Sequence, residues 1–136
     1  MHTTSHELAT RLAKLGPSIT PEHVEVAGGH RALVALLHEH KATAARAAYA
    51  LLSLTSGHAT SRAAVREADG IPPLVALLAG GEGSAAAEYS AGALASLAAD
   101  TTNQIAVREA GGIPPLVALL AAGPDSEASM WAAGAL

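Results

Sequence analysis

A sixteen-residue segment occurs twice in this chain and sets its pattern. The sequence AVREAGGIPPLVALLA covers residues 106–121, and residues 64–79 repeat it with one change, Asp69 in place of Gly111. A third, more divergent copy covers residues 24–37. As a result, leucines recur about 42 residues apart, at Leu33, Leu74 and Leu116. Recurrence at this spacing predicts an array of helical units stacked on one another.

Each copy predicts two short helices joined by a tight turn. Gly111 and Gly112 provide a point where the backbone can turn with positive φ, and Pro114 and Pro115 suit the first turn of a new helix. Apolar residues then follow at helical spacing and form a stripe that can be buried. A third, alanine-rich helix is predicted to complete each unit, over residues 42–56, 84–100 and 126–136.

Capping residues mark where several of these helices begin. Thr4 with Glu7 has the form of a capping box, and leucines at helical spacing extend that first helix to Leu15. This helix is predicted to cover the open apolar end of the first unit. Further along the chain the predicted N-caps are Ser84, Asn103 and Ser126.

The combined pattern resembles the armadillo repeat family. The resemblance covers residues 20–136 and is carried by GGIPPLVALL at residues 111–120, its near twin at 69–78, and SAGALASLA or AAGAL in the third helix. It implies an all-α fold, a right-handed α-solenoid of three-helix units behind an N-terminal capping helix. HEAT repeats are the alternative, but they have two helices per unit and no separate short first helix. The predicted division is 1–19 for the capping helix and turn, 20–59 for repeat 1, 60–101 for repeat 2 and 102–136 for a truncated repeat 3.

Composition narrows the function. Half of the 136 residues are apolar and three are aromatic, so the core is expected to consist of aliphatic side chains and alanine. The net charge is −4 with neutral histidines and the basic residues are scattered, which gives no footprint for nucleic acid or for a membrane surface. The absence of cysteine excludes a disulfide framework and a thiolate zinc site. No signal peptide or membrane span is apparent, so a cytoplasmic or nuclear location is expected.

No motif predicts catalysis, a metal site or a cofactor. The seven histidines lie in the first half of the chain, but neither His2 with His6 nor His38 with His40 has a third ligand in reach along the sequence. We therefore interpret the histidines as solvated polar residues. Motifs for a nucleophile elbow, a zinc protease or a phosphate loop are absent. Arginine beside glutamate, as at Arg66-Glu67, indicates a solvated helix surface.

The third helices contain the candidate binding residues. Superposing them at Leu51, Leu94 and Leu136 places all three aromatic residues of the chain on two adjacent columns of one helix face. The family resemblance implies that this strip lines a concave groove, and aromatic and arginine side chains are frequent anchors of protein interfaces. The alternative is that the aromatic rings fill space between alanine-rich helices. The predicted partner-binding residues are Arg46, Tyr49, Ser53, Tyr89, Ser96 and Trp131.

The sequence thus predicts a non-catalytic module that binds a protein or peptide in the groove of the third helices. Ser53 and Ser96 stand where many family members carry the asparagine that holds an extended peptide, which departs from that mode of binding. One alternative is a scaffold or oligomerisation module that associates with further copies of itself through an open C-terminal face between Trp131 and Leu136. Another is the substrate-recognition part of a larger ubiquitin ligase, since armadillo arrays often accompany a U-box.

Overall fold

Every regular element of the described structure is a helix. In the computed structural model, residues 5–15, 18–26, 29–80 and 84–120 are described. Helices α2 to α4 form a first trio and α5 to α7 a second, while α8 and α9 begin a third. The helices are α1 (Ser5–Ala13), α2 (Pro21–Val26), α3 (His30–Leu36), α4 (Lys41–Gly57), α5 (Ala59–Glu67), α6 (Ile71–Leu77), α7 (Ala85–Leu97), α8 (Thr101–Glu109) and α9 (Ile113–Leu120).

The N-terminal helix is shorter than predicted. It ends at Ala13 because the next two amides turn back in a tighter pattern, with Lys14 N donating to Arg11 O and Leu15 N to Leu12 O. Thr4 of the predicted capping box and Ser126, the last predicted N-cap, lie outside the described residues. Helix α1 packs against α3 and α4 of the first trio, which is the position expected of a capping helix.

The duplicated segment forms the same turn in both of its copies. The amide of Gly70 donates to the carbonyl of Val65 at 2.9 Å, and the amide of Gly112 donates to that of Val107 at 3.0 Å, the bond of a Schellman C-cap. The residue before each glycine has a positive φ, 58° at Asp69 and 79° at Gly111. Glycine adopts this conformation freely, whereas aspartate adopts it at a cost. As predicted, the proline pair then lies in the first turn of α6.

The third helices α4 and α7 pack along each other and supply much of the core. Many of the residues they bury are alanines, whose short side chains let the two helices approach closely. Ser84 caps α7 as predicted, since its Oγ accepts a hydrogen bond from the amide of Ala87 at 3.2 Å. The fully buried leucines come from both trios and from α9: Leu33, Leu36, Leu51, Leu54, Leu74, Leu94, Leu97 and Leu116.

Successive trios meet where a valine packs over a glycine. A Cβ added at Gly70 would lie 3.1 Å from Cγ2 of Val34, and one added at Gly112 would lie 3.2 Å from Cγ2 of Val75. Both valines are buried, with 5% and 9% of their surface exposed. We call this contact the valine–glycine joint, and it recurs at two successive junctions.

A polar contact between the second and third trios corrects two predictions. Asn103 lies inside α8 and is fully buried, so it does not cap that helix. Its Nδ2 instead donates to the carbonyl of Leu97 at 2.9 Å and satisfies the C-terminal end of α7. Its Oδ1 accepts from Nη1 of Arg66 at 2.7 Å. Arg66 is therefore partly buried between trios, which differs from the predicted solvated surface, whereas Glu67 beside it is exposed as predicted.

His30 makes the corresponding contact between the first and second trios. Its Nε2 lies 2.9 Å from Oγ of Ser61, which is fully buried. Burial disfavours the imidazolium and lowers the pKa of His30, and the nearby Glu25 carboxylate opposes this shift. His30 thus contributes to the junction, and the prediction that it is a solvated residue was wrong.

Candidate protein-binding face

Five of the six predicted binding residues lie on α4 and α7. Arg46 is exposed, and the other four are partly exposed. We call the surface formed by Arg46, Tyr49, Ser53, Tyr89 and Ser96 the third-helix face. Trp131, the sixth predicted residue, lies outside the described residues.

The two tyrosines form an aromatic pair that joins the two trios. The ring centroids of Tyr49 and Tyr89 are 4.8 Å apart and the planes are tilted by 35°. Offset aromatic pairs at such distances contribute about 0.5–1.5 kcal/mol beyond the area they bury. One side of the pair packs against the apolar core, while part of each ring stays in contact with solvent. The pair therefore fills space between the alanine-rich helices and leaves part of its apolar surface exposed.

Ser53 and Ser96 differ in whether their hydroxyls form hydrogen bonds within their own helices. Ser96 Oγ donates to the carbonyl of Gly92 at 3.2 Å and lies 3.0 Å from Oγ of Ser56, a residue that the sequence analysis did not select. Ser56 Oγ in turn donates to the carbonyl of Leu52 at 2.7 Å. Ser53 makes no such bond within the described part of the chain, so its hydroxyl is the one free to donate to a ligand.

Side chains in equivalent positions of the repeat are not nearest neighbours on this face. Tyr89 is equivalent to Arg46 in the repeat but contacts Tyr49, and Ser96 is equivalent to Ser53 but contacts Ser56. In both cases the neighbour is one turn further along α4, and residues one turn apart share a helix face. If the superposed sequences of the third helices are shifted by one helical turn along α4, Ser56 is identified as the neighbour of Ser96.

Two positive side chains and one carboxylate lie on or beside the third-helix face. Arg46 and Lys41 on α4 are exposed, and neither forms an ion pair with any described residue. Glu88 on α7 is partly exposed. Between the first turns of the two helices lies a cleft of about 330 Å³, and its lining consists of Lys41, Ala42, Ala45, Ser84, Ala85 and Ala86. A cleft with one charged side chain and small neighbours can accept an acidic or small apolar side chain.

The described residues hold no group of histidine, aspartate and glutamate side chains that could bind a metal ion. None of the helices within the described ranges is long and apolar enough to cross a membrane. Ser61 and His30 form a hydrogen-bonded serine–histidine pair, but the complete burial of Ser61 prevents its hydroxyl from reaching a substrate. The geometry of the third-helix face is that of a surface for noncovalent contacts.

Comparison with solved structures identifies the class of protein. An engineered protein has 34% identity and a TM-score of 0.79 over 96% of this chain and 54% of its own. A designed armadillo repeat protein in complex with the peptide (KR)4 has 26% identity and a TM-score of 0.78 over 96% and 55%. Another structure, of computationally designed armadillo repeat proteins for modular peptide recognition, has 25% identity and a TM-score of 0.77 over 93% and 54%. The chain is therefore an α-solenoid of three-helix units.

More specifically, the chain is similar to designed armadillo repeat proteins, as the resemblance of its sequence motifs indicated. It spans about half the length of the solved structures that it matches. No family model and no curated protein sequence matches it. The predicted fold class, an all-α solenoid of armadillo repeats, is confirmed. The proposed limits of the individual repeats remain a prediction.

Proposed function

We propose that this chain is a non-catalytic binding module that holds a segment of a partner protein against the third-helix face. The observation that carries the proposal is the tyrosine pair, which bridges two trios and stays partly exposed beside Arg46. Aromatic and arginine side chains are common interface anchors, and tyrosine offers a large contact area at low cost in side-chain entropy. Trp131 is expected to extend the face, because it occupies the position of Tyr89 in the sequence repeat.

The charge around the face favours a partner segment with acidic residues. Arg46 can form two parallel hydrogen bonds with one carboxylate, and its fully charged guanidinium has no competing partner among the described residues. Lys41 adds a second positive charge at the same end of α4. An apolar side chain next to the acidic one would then pack on the exposed parts of Tyr49 and Tyr89.

A peptide as the class of partner is supported by the designed relative that is described in complex with (KR)4. That peptide is basic. In this chain Arg46 and Lys41 would repel it, so we expect the opposite preference in peptide charge.

Fluorescence anisotropy with two labelled peptides, (DE)4 and (KR)4, tests this proposal. We expect the wild-type chain to bind (DE)4 more tightly, and Arg46→Glu to weaken that binding about tenfold or more, the size of effect that one interface anchor produces. Arg31→Glu is the matched control, since Arg31 is exposed on α3, away from this face. It should leave the preference unchanged at an ionic strength of about 0.15 M, where charges farther apart than about 8 Å are largely screened.

The tyrosine pair is tested by the double substitution Tyr49→Ala and Tyr89→Ala, with helicity checked by circular dichroism. Its affinity for a (DE)4 peptide carrying a central leucine should fall to that of plain (DE)4, because the leucine would lose its contact surface. An equal gain from leucine in wild-type and variant chains would exclude the tyrosines from the site. Affinity capture from lysate with the same variants would then identify the natural partner.

A further inference from the structure

A cleft of about 280 Å³ lies at the junction of the second and third trios. It is formed by the turn from α5 to α6 and by the end of α8. Its apolar lining comes from Ile71, Pro72, Ala106 and Ala110, and Pro72 is exposed at its opening. We call it the second-junction cleft. None of its lining residues belongs to α4 or α7, so it is separate from the third-helix face.

Three charged side chains also line the second-junction cleft, and among the described residues only the positive one has a bonding partner. Nη1 of Arg66 donates to Oδ1 of Asn103 at 2.7 Å, which directs this guanidinium into the junction. Asp69 and Glu109 are exposed, and neither carboxylate forms an ion pair with a described residue. An apolar surface beside two such carboxylates complements a side chain with an aliphatic stem and a positively charged end.

The equivalent cleft at the first junction differs at its opening. It has a volume of about 260 Å³, and two exposed carboxylates, those of Glu25 and Glu67, line it as well. At the position of Pro72, however, it has the exposed Arg31, so a cation that entered would meet a positive charge. His30 makes its floor polar. The first-junction cleft therefore lacks the apolar lining and has a cation of its own beside the carboxylates.

We propose that the second-junction cleft binds a basic side chain, arginine or lysine, of a partner protein. The aliphatic stem lies along Pro72 and Ala106, and the charged end pairs with the carboxylates of Asp69 and Glu109. Charge complementarity identifies this occupant, and the exposed Arg31 excludes it from the first junction. The site lies on a different surface from the third-helix face and does not depend on the function proposed there.

Asp69 offers a variant whose effects on binding and on stability have opposite signs. It is the single difference between the duplicated segments, and Gly111 stands at its position in the later copy. Aspartate has a positive φ of 58° there, a conformation that costs it more than it costs glycine. Asp69→Gly should therefore weaken binding of a cation while it stabilises the fold, which separates a lost contact from partial unfolding.

NMR titration of the isotope-labelled chain with the capped pentapeptide Ala-Ala-Arg-Ala-Ala tests the proposal. We expect the amide signals of residues 69–72 and 106–110 to shift, with a dissociation constant in the millimolar range because exposed ion pairs are weak. The same peptide with citrulline in place of arginine has nearly the same shape and no charge. It should bind at least about threefold more weakly, the size of effect that exposed ion pairs can produce.

Three variants locate the binding site. Asp69→Gly and Glu109→Gln should each weaken binding of the arginine peptide about threefold, as expected for the loss of one exposed ion pair. Pro72→Arg, which reproduces the opening of the first-junction cleft, should abolish the preference for arginine over citrulline. Glu25→Gln is the control, because Glu25 lines the other cleft, and at an ionic strength of about 0.15 M it should leave the affinity unchanged.

Three results would contradict the proposal. The first is equal affinity for the arginine and citrulline peptides. The second is a loss of affinity in Glu25→Gln as large as in Glu109→Gln, which would assign the binding to the overall charge of the chain. The third is a set of shifted amide signals on α4 and α7 in place of those around the cleft. A failure of the (DE)4 preference at the third-helix face would leave the expected results at this cleft unchanged.

Discussion

The two junctions between trios share one apolar design and differ in their polar contacts. At both, a valine of one trio packs over a glycine of the next, with a Cβ position 3.1 or 3.2 Å from a valine methyl group. At the first junction the buried side chain Ser61 contacts His30 alone, and Arg62 Nη1 separately donates to the carbonyl of Thr55 at 2.9 Å. At the second, Asn103 accepts from Arg66 and also donates to Leu97 O, so one buried side chain satisfies two groups.

This difference indicates that the repeat requires the valine–glycine joint at each junction but tolerates different polar contacts. Ser61 and Asn103 occupy equivalent positions, both are fully buried, and both reach across to the preceding trio. A polar partner is needed there because a buried hydroxyl or amide without one is costly, but its identity is free to vary. The residues of the valine–glycine joint cannot vary in this way, because the close approach of the valine methyl group leaves no room for a Cβ. The predictions below test this ranking.

The largest expected effect is that of a methyl group at the joint glycines. Gly70→Ala would bring Cβ to 2.6 Å from Cγ1 of Val65, and Gly112→Ala to 2.8 Å from Cγ1 of Val107, in both cases with a backbone carbonyl oxygen at 3.0 Å. We expect each to lower the free energy of unfolding by about 2–3 kcal/mol, the cost of overpacking, with Gly70 the more sensitive. Denaturant unfolding measures this.

Gly57→Ala is the matched control, because a Cβ at Gly57 would meet no atom within 4 Å. Gly57 is the last residue of α4, so alanine there should be neutral or stabilising by up to about 1 kcal/mol. Similar losses at Gly57 and Gly112 would mean that backbone flexibility, and not close packing, explains the glycines.

An intermediate effect should distinguish the two polar contacts. Asn103→Ala leaves the carbonyl of Leu97 and the Arg66 guanidinium without partners and should cost about 2 kcal/mol, whereas Ser61→Ala removes one hydrogen bond and should cost about 1 kcal/mol. Denaturation of the two variants side by side gives the comparison. If Ser61→Ala proved the more damaging, the first junction would be the one that depends on its polar contact.

A smaller effect is expected at the single difference between the duplicated segments. Asp69 has a positive φ of 58°, which glycine adopts without strain at Gly111. Asp69→Gly should therefore stabilise the chain, but by less than about 1 kcal/mol, since glycine also gains entropy in the unfolded state. The reverse change, Gly111→Asp, should destabilise it by a similar amount, and thermal unfolding of both variants tests the pair.

The smallest expected effect is a dependence of stability on pH that is confined to the first junction. Burial lowers the pKa of His30, so below the ordinary histidine pKa the unfolded chain binds a proton more readily than the folded one. The stability that the neutral imidazole provides is present above that pKa and is lost as the pH falls through the lowered value. Glu25, Glu67 and Arg31 lie around the same cleft, and Glu25 reduces the shift.

Amide hydrogen exchange locates this pH effect. We expect acidification from about pH 7.5 to about pH 5.5 to increase opening in α3 and α5 more than in α6 and α8, which contain no histidine. His30→Gln should remove the difference, and His38→Gln, at an exposed position, should not. A loss of protection that is uniform along the chain would exclude His30 as its source.

Sequence reasoning predicted the elements that depend on local chemistry. The glycine turn, the proline-started second helix and the Ser84 cap all follow from residues within a few positions of one another. The predicted cap at Asn103 was wrong because its partners, Leu97 O and Arg66, come from the preceding trio. A short polar residue near a helix start has the same signature whether it caps its own helix or the previous one.

The candidate site could be predicted to the level of a helix face and no further. Helical spacing placed Arg46, Tyr49 and Ser53 on one side of α4, where the structure has them exposed or partly exposed. That Tyr49 meets Tyr89 depends on how α4 and α7 are offset along their axes, and that offset comes from the packing of buried alanines. The repeat pattern defines equivalent positions but not this displacement.

The near identity of the two joints creates a problem of order during folding. Because Val34 and Val75 meet equivalent glycines, the apolar surfaces alone would let the third trio stack directly on the first and exclude the second. In such an arrangement Asn103 would face His30, and the Arg66 guanidinium would lose its acceptor. The differing polar pairs thus favour the native order of stacking over this alternative. An array with identical pairs at every junction would lack that preference.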